Sequence, residues 1–313
     1  MARLVTLGTL SALFFSSTFV LNRAMSLAGG HWAWTASLRF GFMLIFLIFI
    51  LLATQGRKAL REVRDLFVRH WLFWMISGSI GFGIFYSMIT FSSIYAEGWI
   101  VATTWQTTIL ATPIVLSFFG RKVPIRGLIF TGIIFIGIVL VNVEHASDTD
   151  LRGMLLSALP VLVAAFAYPI GNQLVWEARM GDNKQRIPHI EHPILENAFA
   201  RVLLLTLGSL PFWGLLLLFT SPPAPSNGQF LSTALVALLS GVIATTIFLY
   251  ARNLSRHAYE ISAVDATQSM EVVFSLIGEI LFLGGALPGP IGLTGVALTM
   301  LGLIAYMAVQ ARS

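Results

Sequence analysis

The sequence predicts an all-α, polytopic membrane protein with ten transmembrane helices, and three observations lead to this fold class. Hydrophobic residues make up 57% of the 313 residues and charged residues only 11%, whereas soluble domains carry about 25% charged residues. The apolar residues form long runs that short polar segments separate. The basic residues lie almost entirely in alternate loops, as they do in membrane proteins. These observations exclude a water-soluble fold.

Ten apolar segments are long enough to cross a bilayer, whose core of about 30 Å needs about 20 helical residues. The apolar run of span one is too long for a secretory signal peptide, so we expect an uncleaved first span. In chain order, the predicted spans one to ten cover residues 4–27, 32–54, 71–95, 98–119, 126–143, 152–176, 195–219, 230–252, 259–284 and 289–310.

Basic residues predict the orientation of the chain. With a cytoplasmic N-terminus, 16 of the 19 Lys and Arg residues fall on the cytoplasmic side, and the exceptions are Arg23, Arg39 and Arg152. Cytoplasmic loops are enriched in Lys and Arg, so we expect both termini in the cytoplasm and the protein in the cell membrane, which in a bacterium is the inner membrane. The stretch 57–69 is predicted to be an amphipathic helix along the cytoplasmic interface.

Several function classes receive no support. There are no cysteines, which excludes disulfides and thiolate metal sites. The net charge of +5 comes from loop residues that set orientation, so we expect no nucleic-acid partner. In the polar loop after span six, His189, Glu191 and His192 are interpreted as loop residues rather than metal ligands. No P-loop or Ser-His-Asp set is present, so the sequence predicts no catalytic residue, no cofactor and no use of ATP.

Short patterns recur in the two halves of the chain in the same order, which predicts two five-helix repeats at residues 1–150 and 151–313. Because five is odd, equivalent helices run in opposite directions, a plan that places a binding site near the midplane. The matched positions are Ser11-Ala12-Leu13 with Ser157-Ala158-Leu159, Asn22 with Asn172, Arg39 with Arg201, Gly120 and Pro124 with Gly284 and Pro288, and Thr131-Gly132 with Thr294-Gly295.

The chain resembles the drug/metabolite transporter superfamily in its ten-helix EamA-like form, and it is similar to members labelled multidrug efflux proteins. The resemblance covers essentially the whole sequence. It implies two five-helix bundles around a central cavity that opens alternately to each side. The residues that carry it are Leu38-Arg39-Phe40, Gly81-Phe82-Gly83-Ile84-Phe85-Tyr86, Tyr250-Ala251-Arg252, Met270-Glu271-Val272, Leu283-Gly284 and Pro288.

This chain departs from the family pattern at two kinds of position. Glu271-Val272 stands where the family usually has Glu-Pro, and Gly120-Arg121 and Gly284-Gly285 stand where it often has Gly-Glu. The four-helix relatives use a carboxylate in their first helix. Span one of this chain contains no acidic residue, so that mechanism does not carry over by position.

Span nine is unusually polar, because Asp265, Gln268, Glu271, Ser275 and Glu279 fall within about 120° of helical arc. A charge in the bilayer core costs at least about 2.5–3.5 kcal/mol, so it marks a functional candidate. Glu271, near the middle of the span, is predicted to bind and release protons. Glu279 is the second predicted proton-coupling acid, and Asp265, nearer the cytoplasmic surface, is the third. The alternative is an acid that packs between helices, paired with an arginine.

Polar and aromatic residues of other spans are candidates for substrate binding. Gln106 and Thr107 can hydrogen-bond a solute, and Trp105 offers a face to a cation or a planar ring. The alternative is hydrogen bonding between helices. Pro169 and Gly171 are predicted to break or bend span six. The full set of predicted substrate-binding residues is Ser17, Asn22, Tyr86, Trp105, Gln106, Thr107, Tyr168, Asn172, Thr245 and Gln268.

Two arginines lie about two helical turns inside their spans, Arg39 in span two and Arg201 in span seven. Their matched placement favours a shared structural role, either snorkelling or pairing with Glu97 or Glu196. Binding of an anionic substrate is the alternative, and it would favour phosphorylated metabolites.

The sequence is consistent with three functions. The leading hypothesis is a secondary active transporter that exports cationic or amphipathic drugs or metabolites by alternating access, coupled to protons. The second is a facilitative or coupled transporter of amino acids or other polar metabolites. An intramembrane enzyme or receptor is less favoured, because no catalytic cluster or large loop domain is visible. The expected partners are a small-molecule substrate, protons and the lipid bilayer; a monomer is sufficient, and a dimer stays open.

Overall fold

The computed structural model describes residues 2–121, 128–181, 187–255 and 258–310. Pro124 of the repeat pattern lies outside these ranges. So do six of the basic residues counted above, which are Lys122, Arg126, Lys184, Arg186, Arg256 and Arg312.

The described part of the chain is helical and contains no strand. Ten helices are long and apolar enough to cross a membrane, so the predicted fold class is confirmed. The observed spans one to ten are Ala2–Leu27, Trp32–Arg69, Trp71–Ser92, Gly98–Phe118, Ile129–Asp148, Leu151–Met180, Ala198–Thr220, Asn227–Leu254, Ala263–Leu283 and Pro290–Val309.

The helix of span two continues beyond its predicted end, with a kink at Gly56. The backbone φ of Gly56 is 74°, a left-handed conformation that glycine adopts without a steric penalty. After the kink, Ala59, Val63 and Leu66 are buried, whereas the basic residues of the stretch 57–69 are exposed. The segment is therefore the amphipathic helix that the sequence predicts.

Four spans depart from regular α-helix, and they form two pairs. Span three contains a π-helical segment at Ser79–Ile84, and span eight contains one at Ala237–Ala244. In span four, one α-helix ends at Trp105 and the next begins at Thr108. In span nine, the 3-10 segment Thr267–Ser269 separates two α-helices. Such interruptions expose backbone groups and are frequent at functional sites.

Span six, by contrast, is one continuous helix from Leu151 to Met180, so the helix does not break at Pro169 and Gly171, and a bend there stays a prediction. Proline cannot donate to the carbonyl four residues earlier, which here belongs to Ala165. The Thr108 hydroxyl of span four donates to that carbonyl instead, at 3.3 Å. Gly171 lies against span three, where a Cβ atom would be 2.3 Å from the Cα atom of Gly81. Gly171 therefore serves the close packing of spans three and six.

Candidate functional site

Glu271 is a buried carboxyl without a partner in the described part of the chain. It is the second residue of the helix that follows the 3-10 turn of span nine, and it is 9% exposed. No described group donates a hydrogen bond to its oxygens, and no basic group lies within ion-pair distance. The structure therefore places one unpaired acid in the interior of the helix bundle.

The other two predicted proton-coupling acids are paired. Glu279 is 2% exposed; its Oε2 atom accepts a hydrogen bond of 2.9 Å from the backbone N–H of Gly98, and its Oε1 atom lies 4.0 Å from Nε of Arg23. Oδ1 of Asp265 lies 3.6 Å from Nε of Arg252, which is an ion pair without a hydrogen bond to this oxygen from any described residue. The alternative interpretation, an acid paired with an arginine, thus describes Glu279 and Asp265 but not Glu271.

The polar residues of span nine do not form one uninterrupted stripe, because the 3-10 turn separates Asp265 and Gln268 from Glu271, Ser275 and Glu279. Gln268 donates to the Ser11 hydroxyl of span one at 3.1 Å. The Ser275 hydroxyl, one helical turn after Glu271, is buried without a hydrogen-bond partner. Span nine therefore holds two adjacent polar groups whose hydrogen-bonding capacity is unused.

An aromatic cluster forms between spans three, four and six. The ring of Phe85 lies 4.9 Å from that of Trp105 and 5.0 Å from that of Tyr168, centroid to centroid. The Tyr168 hydroxyl interacts with the Asn172 side chain, and Glu271 is close enough to act on that hydroxyl electrostatically. Three predicted substrate-binding residues, Trp105, Tyr168 and Asn172, are thus brought together in one cluster.

Two further predicted residues, Asn22 and Tyr86, meet between spans one and three. Both are almost fully buried, and the Tyr86 hydroxyl donates to Oδ1 of Asn22 at 3.0 Å. The guanidinium of Arg39 lies over the Tyr86 ring, 4.0 Å from its centroid. Because Tyr86 follows Phe85 directly, this group adjoins the aromatic cluster, with 6.0 Å between the two ring centroids.

Four predicted substrate-binding residues make their hydrogen bonds within their own helices. Gln106 and Thr107 donate to no described residue of another helix, which was the alternative interpretation for them. Contact of all four residues with a solute stays a prediction. The bonds run from Ser17 to the Phe14 carbonyl at 2.6 Å, from Gln106 to Ala102 at 3.2 Å, from Thr107 to Thr104 at 2.6 Å and from Thr245 to Ser240 at 3.3 Å.

The two intramembrane arginines do not have the predicted partners. Glu97 accepts a hydrogen bond from the Trp99 indole, and Glu196 pairs with Arg179 at 2.6 Å. The Arg179 guanidinium holds the pKa of the Glu196 carboxyl below its ordinary value. Arg201 donates to the carbonyl of Leu195. Glu196 nevertheless lies close enough to Arg201 to act on its guanidinium electrostatically, although the ion pair of Glu196 is formed with Arg179.

Sequence reasoning missed two polar contacts that connect the halves of the chain. Near the predicted outer side, Arg23 of span one approaches Glu279 of span nine. Near the predicted cytoplasmic side, Arg121 after span four pairs with Glu177 of span six through two hydrogen bonds of 2.8 and 2.5 Å. These contacts could have been predicted from opposite charges at the ends of neighbouring spans, because an acid at a span end is stabilised by a nearby cation.

Comparison with known protein families gives a match over nearly the whole chain. The model of the EmrE family, described as "Putative multidrug resistance efflux transporter", matches residues 2–312. The chain belongs to this family. The predicted resemblance to the drug/metabolite transporter superfamily is therefore confirmed. As an EmrE-family member with ten apolar helices, the chain is a multi-pass membrane protein of a transporter family.

Relatives of this EmrE-family member include two uncharacterized proteins. YjlA of Bacillus subtilis (strain 168) is 36% identical over 319 residues, which cover 96% of this chain and 93% of YjlA. A 42.1 kDa protein of Shouchella clausii, from the intracellular alkaline protease 3′ region, is 38% identical over 270 residues, or 80% of this chain and 65% of that protein. A solved crystal structure aligns with all of this chain and 98% of its own, with a TM-score of 0.62 and 15% identity, which shows a shared fold.

Proposed function

We propose that this protein is a secondary active transporter that exports small organic solutes by alternating access, with Glu271 as its proton-coupling site. The observation that carries the proposal is the buried Glu271 carboxyl, which has no partner among the described residues although Glu279 and Asp265 both do. An unpaired carboxyl in a membrane interior favours its neutral form. It releases its proton when water or a cationic group reaches it.

We also propose that the two halves are repeats of opposite orientation. The paired π-helical segments of spans three and eight support this, as do the paired interruptions of spans four and nine. Aligning Gly120 with Gly284 places Thr107 opposite Glu271. Thr107 lies in the turn that interrupts span four, and Glu271 follows the turn that interrupts span nine. Interrupted helices at the interface of such repeats are typical of transporter binding sites.

Movement between the halves supplies the alternating access. The Arg23–Glu279 contact joins spans one and nine near one face, and the Arg121–Glu177 contact joins spans four and six near the other. Each contact links the first half of the chain to the second. Opening either face requires the corresponding contact to separate, so these pairs act as the two gates of the pathway.

The aromatic cluster of Phe85, Trp105 and Tyr168 supplies a surface for the apolar part of a solute. Aromatic faces also attract cations, which suits cationic or amphipathic compounds. Amino acids and other polar metabolites form the second candidate class, supported by the polar groups of Asn172 and Gln268 that lie on spans six and nine. No residue is proposed to catalyse a reaction.

A transport assay driven by a pH gradient tests the proton coupling. A thermal-shift screen of quaternary amines, amino acids and phosphosugars on the purified protein first selects the probe. The probe is then followed into proteoliposomes with and without a pH gradient. We expect the wild-type protein to accumulate the probe only with the gradient and Glu271→Gln to lose that dependence. Glu191→Gln, in an exposed loop, is the matched control. Unchanged pH dependence of transport in Glu271→Gln would show that Glu271 is not the proton-coupling residue.

A further inference from the structure

Arg39 is an intramembrane cation that has no counter-ion among the residues described by the structure. Its guanidinium lies among spans one, three and eight, where it donates to the Ser240 hydroxyl at 3.1 Å and to the Thr18 hydroxyl at 3.5 Å. The ring of Tyr86 covers one face of the guanidinium. Among the described residues, no carboxylate lies within ion-pair distance of it.

The groups around Arg39 have unused donors. Arginine carries five N–H donors, and the two hydrogen bonds above use two of them. Its Nε atom is buried and has no partner. Asn22, whose Oδ1 atom accepts a hydrogen bond from the Tyr86 hydroxyl, has a buried Nδ2 atom that also has no partner among the described residues. Each unused nitrogen is a donor, so the complementary ligand is an acceptor, and next to a guanidinium the best acceptor is an anion.

We propose that Arg39 is the subsite for a carboxylate group of the transported solute, with Asn22 as an additional donor. This rests on the proposed transport function and, of its two candidate substrate classes, favours amino acids and other polar metabolites that carry a carboxylate over cationic compounds. A guanidinium binds a carboxylate through two parallel hydrogen bonds. Aromatic rings border this subsite, because the guanidinium carbon of Arg39 lies 4.0 Å from the ring centroid of Tyr86 and 6.0 Å from that of Phe40.

The contacts of Arg39 favour a carboxylate over a phosphate ester. A phosphate ester carries close to two negative charges at neutral pH, which a single cation does not neutralise. The contacts of Arg39 are hydroxyl groups and aromatic rings, with no second cation among them. A singly charged carboxylate therefore matches the charge of this site.

Equilibrium binding to the purified full-length protein in detergent tests the subsite, with phenylacetate and its neutral isostere phenylacetamide as probes. We expect phenylacetate to raise the unfolding temperature and phenylacetamide not to. Arg39→Gln should weaken phenylacetate binding by about ten- to hundredfold. The control Arg201→Gln, at the matched arginine of span seven, should leave it unchanged. Equal binding of both probes, or unchanged binding in Arg39→Gln, overturns the proposal. Stronger stabilisation by inorganic phosphate than by phenylacetate overturns the choice of carboxylate.

A second comparison requires no ligand. Ser240→Asp introduces a carboxylate next to the guanidinium, and Ser240→Asn introduces a neutral group of the same shape. If Arg39 is an anion-binding residue, the Asp variant unfolds at a higher temperature than the Asn variant and no longer binds phenylacetate. An Asp variant that is less stable than the Asn variant overturns the proposal. Neither measurement involves Glu271 or a pH gradient, so failure of proton coupling is recognised separately.

Discussion

The backbone N–H of Gly98 donates to the Oε2 atom of Glu279 at 2.9 Å, which joins the first residue of span four to the last turns of span nine. A Cβ atom on Gly98 would lie 2.9 Å from the Phe19 carbonyl oxygen of span one, so three spans meet here. The N–H at the start of a helix has no partner within its own helix. Glu279 therefore completes the hydrogen bonding of span four while it holds the three spans together.

The first prediction concerns this contact. Glu279→Ala removes the acceptor and leaves the Gly98 N–H buried, so we expect it to lower the free energy of unfolding by about 1–3 kcal/mol. Glu279→Gln keeps an oxygen acceptor, so we expect it to lower the free energy of unfolding by a smaller amount. Thermal unfolding in detergent measures both, with Glu191→Ala in an exposed loop as the control. Equal stability of the Ala and Gln variants would mean that the hydrogen bond to Gly98 is not stabilising.

The second prediction concerns the contact of spans five and ten. A Cβ atom on Gly137 would lie 2.6 Å from the Gly295 carbonyl oxygen, whereas one on Gly132 in the same helix would meet nothing within 4 Å. Gly137→Ala should lower the free energy of unfolding by about 1–3 kcal/mol, because the two backbones must move apart. Gly132→Ala should be neutral or stabilising. Similar unfolding temperatures for the two variants would contradict this close approach.

The third prediction tests how span six stays continuous. Thr108→Val removes the hydroxyl that donates to the Ala165 carbonyl, which Pro169 leaves unbonded, so we expect a loss of about 1 kcal/mol. Thr112→Val is the matched control, because the Thr112 hydroxyl bonds only to the Thr108 carbonyl of its own helix. If Thr112→Val proves at least as destabilising, the carbonyl of Ala165 does not depend on Thr108.

The fourth prediction concerns the gate on the predicted cytoplasmic side. The chain has no cysteines, so Arg121→Cys combined with Glu177→Cys gives one defined pair for a cleavable bifunctional thiol reagent. We expect the cross-link to stop transport in proteoliposomes and reduction to restore it, because opening requires spans four and six to separate. Each single-cysteine variant, treated with the same reagent, is the control. Transport that continues through a complete cross-link would show that this contact does not open.

The sequence predicted the fold closely, because the hydrophobicity and the length of each span are local properties of the chain. All ten observed spans begin within four residues of their predicted starts. Span two extends further than expected, since the helix resumes after Gly56. The amphipathic stretch 57–69 was also visible, because apolar residues at helical spacing identify the buried face without knowledge of any neighbour.

Within the candidate site, the sequence identified residue types but not their relations. It identified Glu271, Glu279 and Asp265 as candidates because charges are rare in the membrane. It could not show which of these acids has a cation or a hydrogen-bond donor as its partner. Only the tertiary structure decided that Glu279 bonds to Gly98, that Asp265 lies against Arg252, and that Glu271 has no described partner.

By itself, then, the sequence determined the number and limits of the spans, because hydrophobicity and helix length act along the chain. The tertiary structure decided which helices are interrupted and which charges are paired. Those outcomes depend on groups from distant spans. The Thr108 hydroxyl bonds to the carbonyl that Pro169 leaves without its helical partner, and span six stays continuous. Spans one, three and eight surround Arg39 with hydroxyl groups and an aromatic ring. Electrostatic and hydrogen-bond energies are set by distances across the bundle, which the order of residues does not contain.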